Sequence, residues 1–403
     1  RHSFPTRRSS DLSTITRPAH ALVIKLVLAG GAVIGQSGYA AEASPCPPLA
    51  ADQRLTLSAA INYGLCQNPD TRSVWAQLTA QQAAVAVSED ANKPSVALQA
   101  STNRSFSDGD QSSSTALQAR LSYLLFDFGQ RQAEQQQARA LAEAAQWSVD
   151  STTASLSRDI IMAYVMVLKA QAQIDAGAQA LIAASNSLSS ADARYKAGTA
   201  TPLDVLQAKA AEAQARLATV QARSLLATRR GELAQIMGLQ PTLLPELASV
   251  ASTPLELPFQ VDTLAQMLVQ AVNARAETRV ARANVSAAEQ SILSAKAANK
   301  ASISLSASTG VQQSDDDRQS TGSLGLTLAV PLDVGGGQKA RIRQSEALKA
   351  VKEAALVKSQ QTIEQQVWQA FYAAQAAIET VRAAQDSLDS SERASQVALG
   401  RYQ

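Results

Sequence analysis

Histidine is almost missing from this chain. The only two, His2 and His20, fall within the first twenty residues, so a chain cleaved beyond them has none. Ser-His-Asp and Cys-His catalysis and His-ligated metal sites are excluded together. Cysteine is nearly as scarce, at two residues, and the first of the four methionines is Met162. Aromatics make up 4% of 403 residues, and 36 Lys+Arg face 34 Asp+Glu, so the chain lacks the basic field of a nucleic-acid binder. Ala, Gln and Ser are abundant, a composition that suits long helices packed through small side chains better than one bulky core.

Residues 1–12 (RHSFPTRRSSDL) show no periodicity and resemble translated sequencing adapter. Residues 13–40 read as an export signal. Arg17, His20 and Lys25 precede the apolar run Leu26 to Ile34, and small residues at Gly38, Ala40 and Ala41 predict cleavage near Ala40. The run is too short to span a bilayer. Residues 1–40 hold five basic residues and one acidic one, so their removal turns the net charge from +2 to −2. In an exported chain, Cys46 and Cys66 predict a local disulfide. Neither has a basic neighbour that would make it a catalytic thiolate.

The chain repeats itself. Ala91-Asn92-Lys93 recurs as Ala298-Asn299-Lys300 and Arg194-Tyr195 as Arg401-Tyr402, an offset of 207 residues, with Gly129-Gln130-Arg131 recurring as Gly337-Gln338-Lys339. A tandem duplication is predicted: residues 41–240, a Pro-rich linker over 241–259, and a second copy over 260–403. The second copy stops where the first still has its turn and returning helix to come, so a C-terminal truncation is expected.

Each copy reads helix, strand, strand, long helix. Val96, Leu98 and Ala100, then Leu117, Ala119, Leu121 and Tyr123, alternate with polar residues and predict strands over about 94–104 and 114–126. The counterparts are expected over about 302–310 and 321–332, around Asp315-Asp316-Asp317. Apolar residues on one face and Ser, Gly, Thr and Gln on the other suit a membrane barrel with a wet interior, though a half-buried soluble sheet has a similar pattern. Long helices follow, over 130–194 and 338–403. In the first, heptads place Leu156, Ala163, Ala170, Gly177 and Ala184 at one seam position and Ile160, Val167, Ile174, Leu181 and Leu188 at the other. The first predicts a rod of roughly 100 Å, longer than a bilayer is thick. A tip turn over 195–202 and a returning helix over 203–238 complete the first copy, with Gly198 suited to end one helix and Thr201-Pro202 to start the next. Asp127, Gly129, Asp333, Gly335, Gly336 and Gly337 mark the strand-to-helix joints and read as turn and cap residues. The three consecutive glycines lack the Lys-Ser/Thr of a phosphate-binding loop. No cofactor, metal or enzymatic activity is expected.

Four strands per chain cannot close a barrel, whereas two chains would supply eight strands, which fill with side chains, and three would supply twelve, which leave room for a lumen. From Leu49 to Gln403 the plan resembles the TolC family of outer-membrane efflux and secretion channels. The resemblance rests on Leu55-Thr56-Leu57-Ser58-Ala59-Ala60 with Asn68-Pro69, the joints Leu125-Phe126-Asp127-Phe128-Gly129 and Pro331-Leu332-Asp333-Val334-Gly335-Gly336-Gly337, and Arg194 through Leu206. It implies a mainly α fold with membrane β: a homotrimer whose four strands per chain form a twelve-stranded barrel in the outer membrane of a Gram-negative bacterium, in contact with lipid and continuing into a periplasmic helical tunnel. The implied partners are a periplasmic adaptor and an inner-membrane pump of the RND or ABC type, with no nucleic acid. Arg194, Tyr195, Gly198, Thr199 and Thr201 are the implied tip and adaptor-contact residues, and Asp204 with Tyr402 the implied gate. The implied function is a passive exit duct for drugs, small molecules or secreted proteins. The alternatives are a periplasmic adaptor, which should carry a lipoyl-like β domain around one hairpin, and a structural coiled-coil envelope protein, which has no use for amphipathic strands.

Overall fold

The computed structural model describes residues 54–107, 110–249, 263–314 and 317–400, all within the compact unit Pro47–Gln403. The elements of the first repeat are α1 (Leu57–Gln67), α2 (Pro69–Asp90), β1 (Ser95–Ser107), β2 (Asp110–Phe126), α3 (Gln130–Lys196) and α4 (Pro202–Ile236). After a 3₁₀ turn at Pro241–Leu243 come α5 (Leu264–Ala274), α6 (Ala276–Ala297), β3 (Ser302–Ser314), β4 (Arg318–Ala329) and α7 (Gly337–Gly400). From α1 to β1 and from α5 to β3 the boundaries match at an offset of 207 residues. The duplication in sequence is thus a duplication of architecture.

The four strands form one antiparallel sheet in the order β1-β2-β3-β4. All four strands reach closer to the loops than hydrophobic alternation alone indicates. Ser105–Ser112 and Gln313–Arg318 continue the ladder after the apolar residues stop, because backbone pairing does not require apolar side chains. β4 ends at Ala329, two residues before Pro331, which has no amide to donate.

α3 is 67 residues long, about 100 Å of helix. It packs against α4 through one half and against α2 and α6 through the other, while α7 packs on α5 and α6. The predicted heptad residues of α3 form the α4 contact: Leu156, Ile160, Val167 and Ala170 are buried, and Ile174, Leu181 and Leu188 are half-buried. Gly177 lets Thr219 come close enough for its hydroxyl to reach the Gly177 carbonyl at 3.3 Å as well as Ala215 at 2.9 Å.

The apolar core sits at the waist, midway along α3. Leu55, Ala60, Leu156, Ile160, Tyr164, Val167, Leu233, Ala234, Met237 and Leu244 meet there. Gly64 is glycine because a Cβ would run into the Ile160 Cδ1 methyl. Asn68 ties three elements together. Its carboxamide oxygen accepts from the Asp70 amide at 2.7 Å, capping α2, and its Nδ2 donates to Ile236 O at 2.8 Å, at the far end of α4.

Candidate functional site: the uncovered sheet, the joints and the helix tip

Register shows what each face of the sheet carries. Val96↔Leu121, Leu98↔Ala119 and Ala100↔Leu117 share a face with Ile303↔Leu328, Leu305↔Leu326 and Ala307↔Leu324. The β2–β3 pairs Leu117↔Val311 and Leu121↔Ala307 make it continuous. None of the described helices covers this face. Val96 is 72% exposed, Leu98 71%, Leu324 77% and Leu326 68%. So wide an apolar surface on a chain rich in alanine marks contact with lipid or another apolar partner. The opposite face is built of Ser, Thr, Gln and Gly, with hydroxyl pairs such as Ser95–Ser122 and Ser308–Ser323 at 2.7 and 2.8 Å. Strands of 12 to 17 residues exceed the 9 to 11 needed to cross a bilayer.

At the joint between β2 and α3, Phe128 and Gly129 take left-handed backbone conformations, at φ 52° and 90°. Asp127 holds the turn: its carboxylate accepts from the Gly129 amide at 3.2 Å, the Arg131 amide at 3.0 Å and Arg131 Nε at 2.8 Å. Burial alone would raise the Asp127 pKa, but these donors and the Arg131 charge outweigh it and hold the carboxyl below the usual carboxylate range. At the second joint Asp333 does the same for α7, accepting from the amides of Gln338 and Lys339 at 3.1 and 3.2 Å, and its pKa is lowered mainly by Gln338. Gly336 supplies the positive φ there, 72°, while Gly335 and Gly337 have open space around them. Phe126 and Phe128 stack edge to face at the base of the sheet, 4.7 Å between centroids, and both are about half-exposed.

At the tip, Gly198 takes φ 76° and the Thr199 amide bonds back to Arg194 O at 2.9 Å, closing the end of α3. Arg194 also donates from Nε to Ser190 O at 3.4 Å. Thr201 then opens α4 in a capping box with Asp204. Asp204 Oδ2 accepts from both the Thr201 amide and hydroxyl at 2.8 Å. The Thr201 backbone and hydroxyl hydrogen bonds lower the Asp204 pKa. Tyr195, Leu203 and Leu206 stand exposed beside this turn. The spacing of the two leucines continues along α4 to exposed Leu217 and Val220, a second heptad seam facing away from α3. Tyr402 lies outside the described residues, so nothing here pairs it with Asp204. Cys46 also lies outside them. Cys66, beside the end of α1, is not a free thiol.

Nothing in the periodicity of α3 signals a role for the Tyr164 hydroxyl. The ring is fully buried, and its hydroxyl lies 2.8 Å from Leu55 O and 2.7 Å from Ala248 O. Those two strand-like segments pair in parallel, with Leu55 N to Glu246 O at 2.7 Å and Ala248 N to Leu55 O at 2.9 Å. Tyr164 thus latches the start of the first repeat to the linker.

A sheet with one bare apolar face and one polar face, joined through capped turns to helices of about 100 Å, has the plan of an outer-membrane channel subunit. The outer membrane efflux protein family matches residues 60–239 and 267–403, and the chain belongs to it. The family comprises channels rather than enzymes, set in the outer membrane and extending into the periplasm. The chain is 30% identical to protein CyaE of Bordetella pertussis over 314 residues, 75% of this chain and 66% of that one. It is 27% identical to the probable efflux pump outer membrane protein SepC of Pseudomonas putida over 288 residues, 70% of this chain and 59% of that one. It therefore spans about three-fifths to two-thirds of the length of these relatives. Among solved structures, the outer membrane protein VceC of Vibrio cholerae has the same fold, with a TM-score of 0.72 at 21% identity, covering 86% of this chain and 85% of that one.

Proposed function

We propose that the chain is the outer-membrane exit duct of a tripartite efflux pump or a type I secretion system, working as a homotrimer. The bare apolar face of the sheet carries this reading. A four-stranded sheet leaves β1 and β4 as open edges, and edge pairing between three chains gives a twelve-stranded closed barrel. The exposed α4 seam at Leu203, Leu206, Leu217 and Val220 calls for a neighbouring helix in the same assembly. The lipid-facing side is then apolar and the lumen polar, so cargo diffuses out down its gradient and energy enters only at the inner-membrane pump.

The tip is the regulated end. Arg194, Tyr195, Gly198, Thr199 and Thr201 form a rigid capped turn that a periplasmic adaptor can grip. Asp204 combines capping with gating: its bonds to Thr201 fall on Oδ2, which leaves Oδ1 available to a second partner, for which Tyr402 is the candidate. Realignment of the tip helices breaks that link and opens the duct.

The test is heat-modifiable migration of the full-length protein extracted from outer membranes, joined to conductance in planar bilayers. A trimer that conducts supports the duct, and a monomer in the soluble periplasmic fraction overturns it. Asp204→Ala should raise single-channel conductance. Unchanged conductance would reduce Asp204 to a cap.

A further inference from the structure

The two faces of the sheet differ in charge as well as in polarity. Arg104 and Arg318 share the apolar face and lie toward the loops. On the polar face, apart from Asp110 at the loop end, the four strands carry a single ionisable residue, Arg120. It sits well inside β2, paired with Ala97 on one side and Ser308 on the other, with Gln118 and Ser122 two residues away along its own strand. Its side chain is exposed, and it forms no hydrogen bond or ion pair with any described residue. On the helices several arginines are matched by carboxylates, as Arg131 is by Asp127 and Arg139 by Glu89, while others such as Arg341 and Arg343 stand exposed. Arg120 is therefore an uncompensated positive charge on a wall of hydroxyls and amides.

We propose that Arg120 is the residue that sets ionic selectivity in the barrel, favouring small anions over cations. The proposal rests on the duct reading. In a closed assembly every chain places its Arg120 at the same height, so the lumen acquires a ring of guanidinium groups with no carboxylate in the strand wall at that level. Rings of one charge sign are a general way for pores to select ions, and low-dielectric walls focus their field into the lumen. The field reaches across a wide lumen only when salt is low. The Debye length is about 30 Å at 0.01 M and about 8 Å at 0.15 M, so the preference must fade as salt rises. Arginine suits the role because it stays charged at every pH the envelope meets.

The experiment is the reversal potential of the full-length protein in planar bilayers under a KCl gradient, starting near 10 mM. Charges elsewhere in the pore set the absolute value, so the reading is the difference between variants. Arg120→Gln should lower the chloride-to-potassium permeability ratio at least about twofold, Arg120→Glu should lower it further, and Arg120→Lys should keep it. The differences should vanish toward 1 M salt. Arg104→Gln, on the opposite face, should leave the ratio alone. Conducting Arg120→Gln and Arg120→Glu channels with the wild-type ratio at low salt would overturn the proposal, as would Arg104→Gln changing it as much as Arg120→Gln. A wild-type protein that does not conduct at all would instead bring down the duct reading beneath it.

Discussion

Tyr164→Phe removes one oxygen atom from the best-buried part of the molecule and leaves the ring in place. The hydroxyl serves two carbonyls, at 2.8 Å from Leu55 O and 2.7 Å from Ala248 O. Having one proton, it donates to one of them at a time. Leu55 O keeps a second donor, the Ala248 amide at 2.9 Å, so the loss falls mainly on Ala248 O. A lost hydrogen bond that leaves a part-buried acceptor unpaired costs about 1–3 kcal/mol. The cost is local, since the latch joins only the segment before α1, the linker and the middle of α3. Hydrogen exchange measures it directly: the amides of Leu55 and Ala248, which hold the parallel pairing, should exchange about 5- to 150-fold faster in the variant. Amides in the middle of α6 should not change. Burial raises the Tyr164 pKa above the ordinary phenol range, partly countered by the bond to Ala248. With the folded value above the unfolded one, the latch contributes fully below about pH 10 and weakens as pH rises through the folded pKa. Phenylalanine should abolish that alkaline step. Unchanged exchange at both amides would refute the latch.

Gly64→Ala pushes a methyl into Ile160 Cδ1 and should destabilise by about 1–3 kcal/mol in urea unfolding. Adding Ile160→Val, which deletes that carbon, should recover part of the loss, whereas additive effects would refute the contact. Asp127→Ala strips the cap from α3 and takes the carboxylate from the largely buried Arg131 guanidinium, which keeps only its bond to Ala91 O, for a loss of about 1–2 kcal/mol read in the same way. Because the folded Asp127 pKa is lowered, its contribution is present above the unfolded value and is lost as pH falls below about 4, so the Ala variant should show a flatter acid limb. Gly198→Ala forces a side chain into φ 76° and should cost about 1 kcal/mol in thermal unfolding of the tip. No effect there would mean that the turn relaxes to another conformation.

The repeat, the strand faces and the helix seams are legible in the order of residues alone, because each is written in local periodicity. A period of two at Leu324, Leu326 and Leu328 fixes which side chains share a face. A heptad running from Leu156 to Leu188 fixes which stripe of α3 meets α4. The caps at Thr201 and Gly198 were legible for the same reason, since the atoms involved lie within a few residues of one another. What distant segments do to each other is visible only in the packed molecule. Tyr164 looks like one more apolar residue on a helix until its hydroxyl finds Leu55 and Ala248, 109 and 84 residues away. Asn68 reads as a helix cap until Nδ2 reaches Ile236, 168 residues on. Gly64 carries no signal until Ile160 lies against it. No periodicity encodes such pairings, because they arise only when the packed helices bring single atoms within hydrogen-bonding or van der Waals distance.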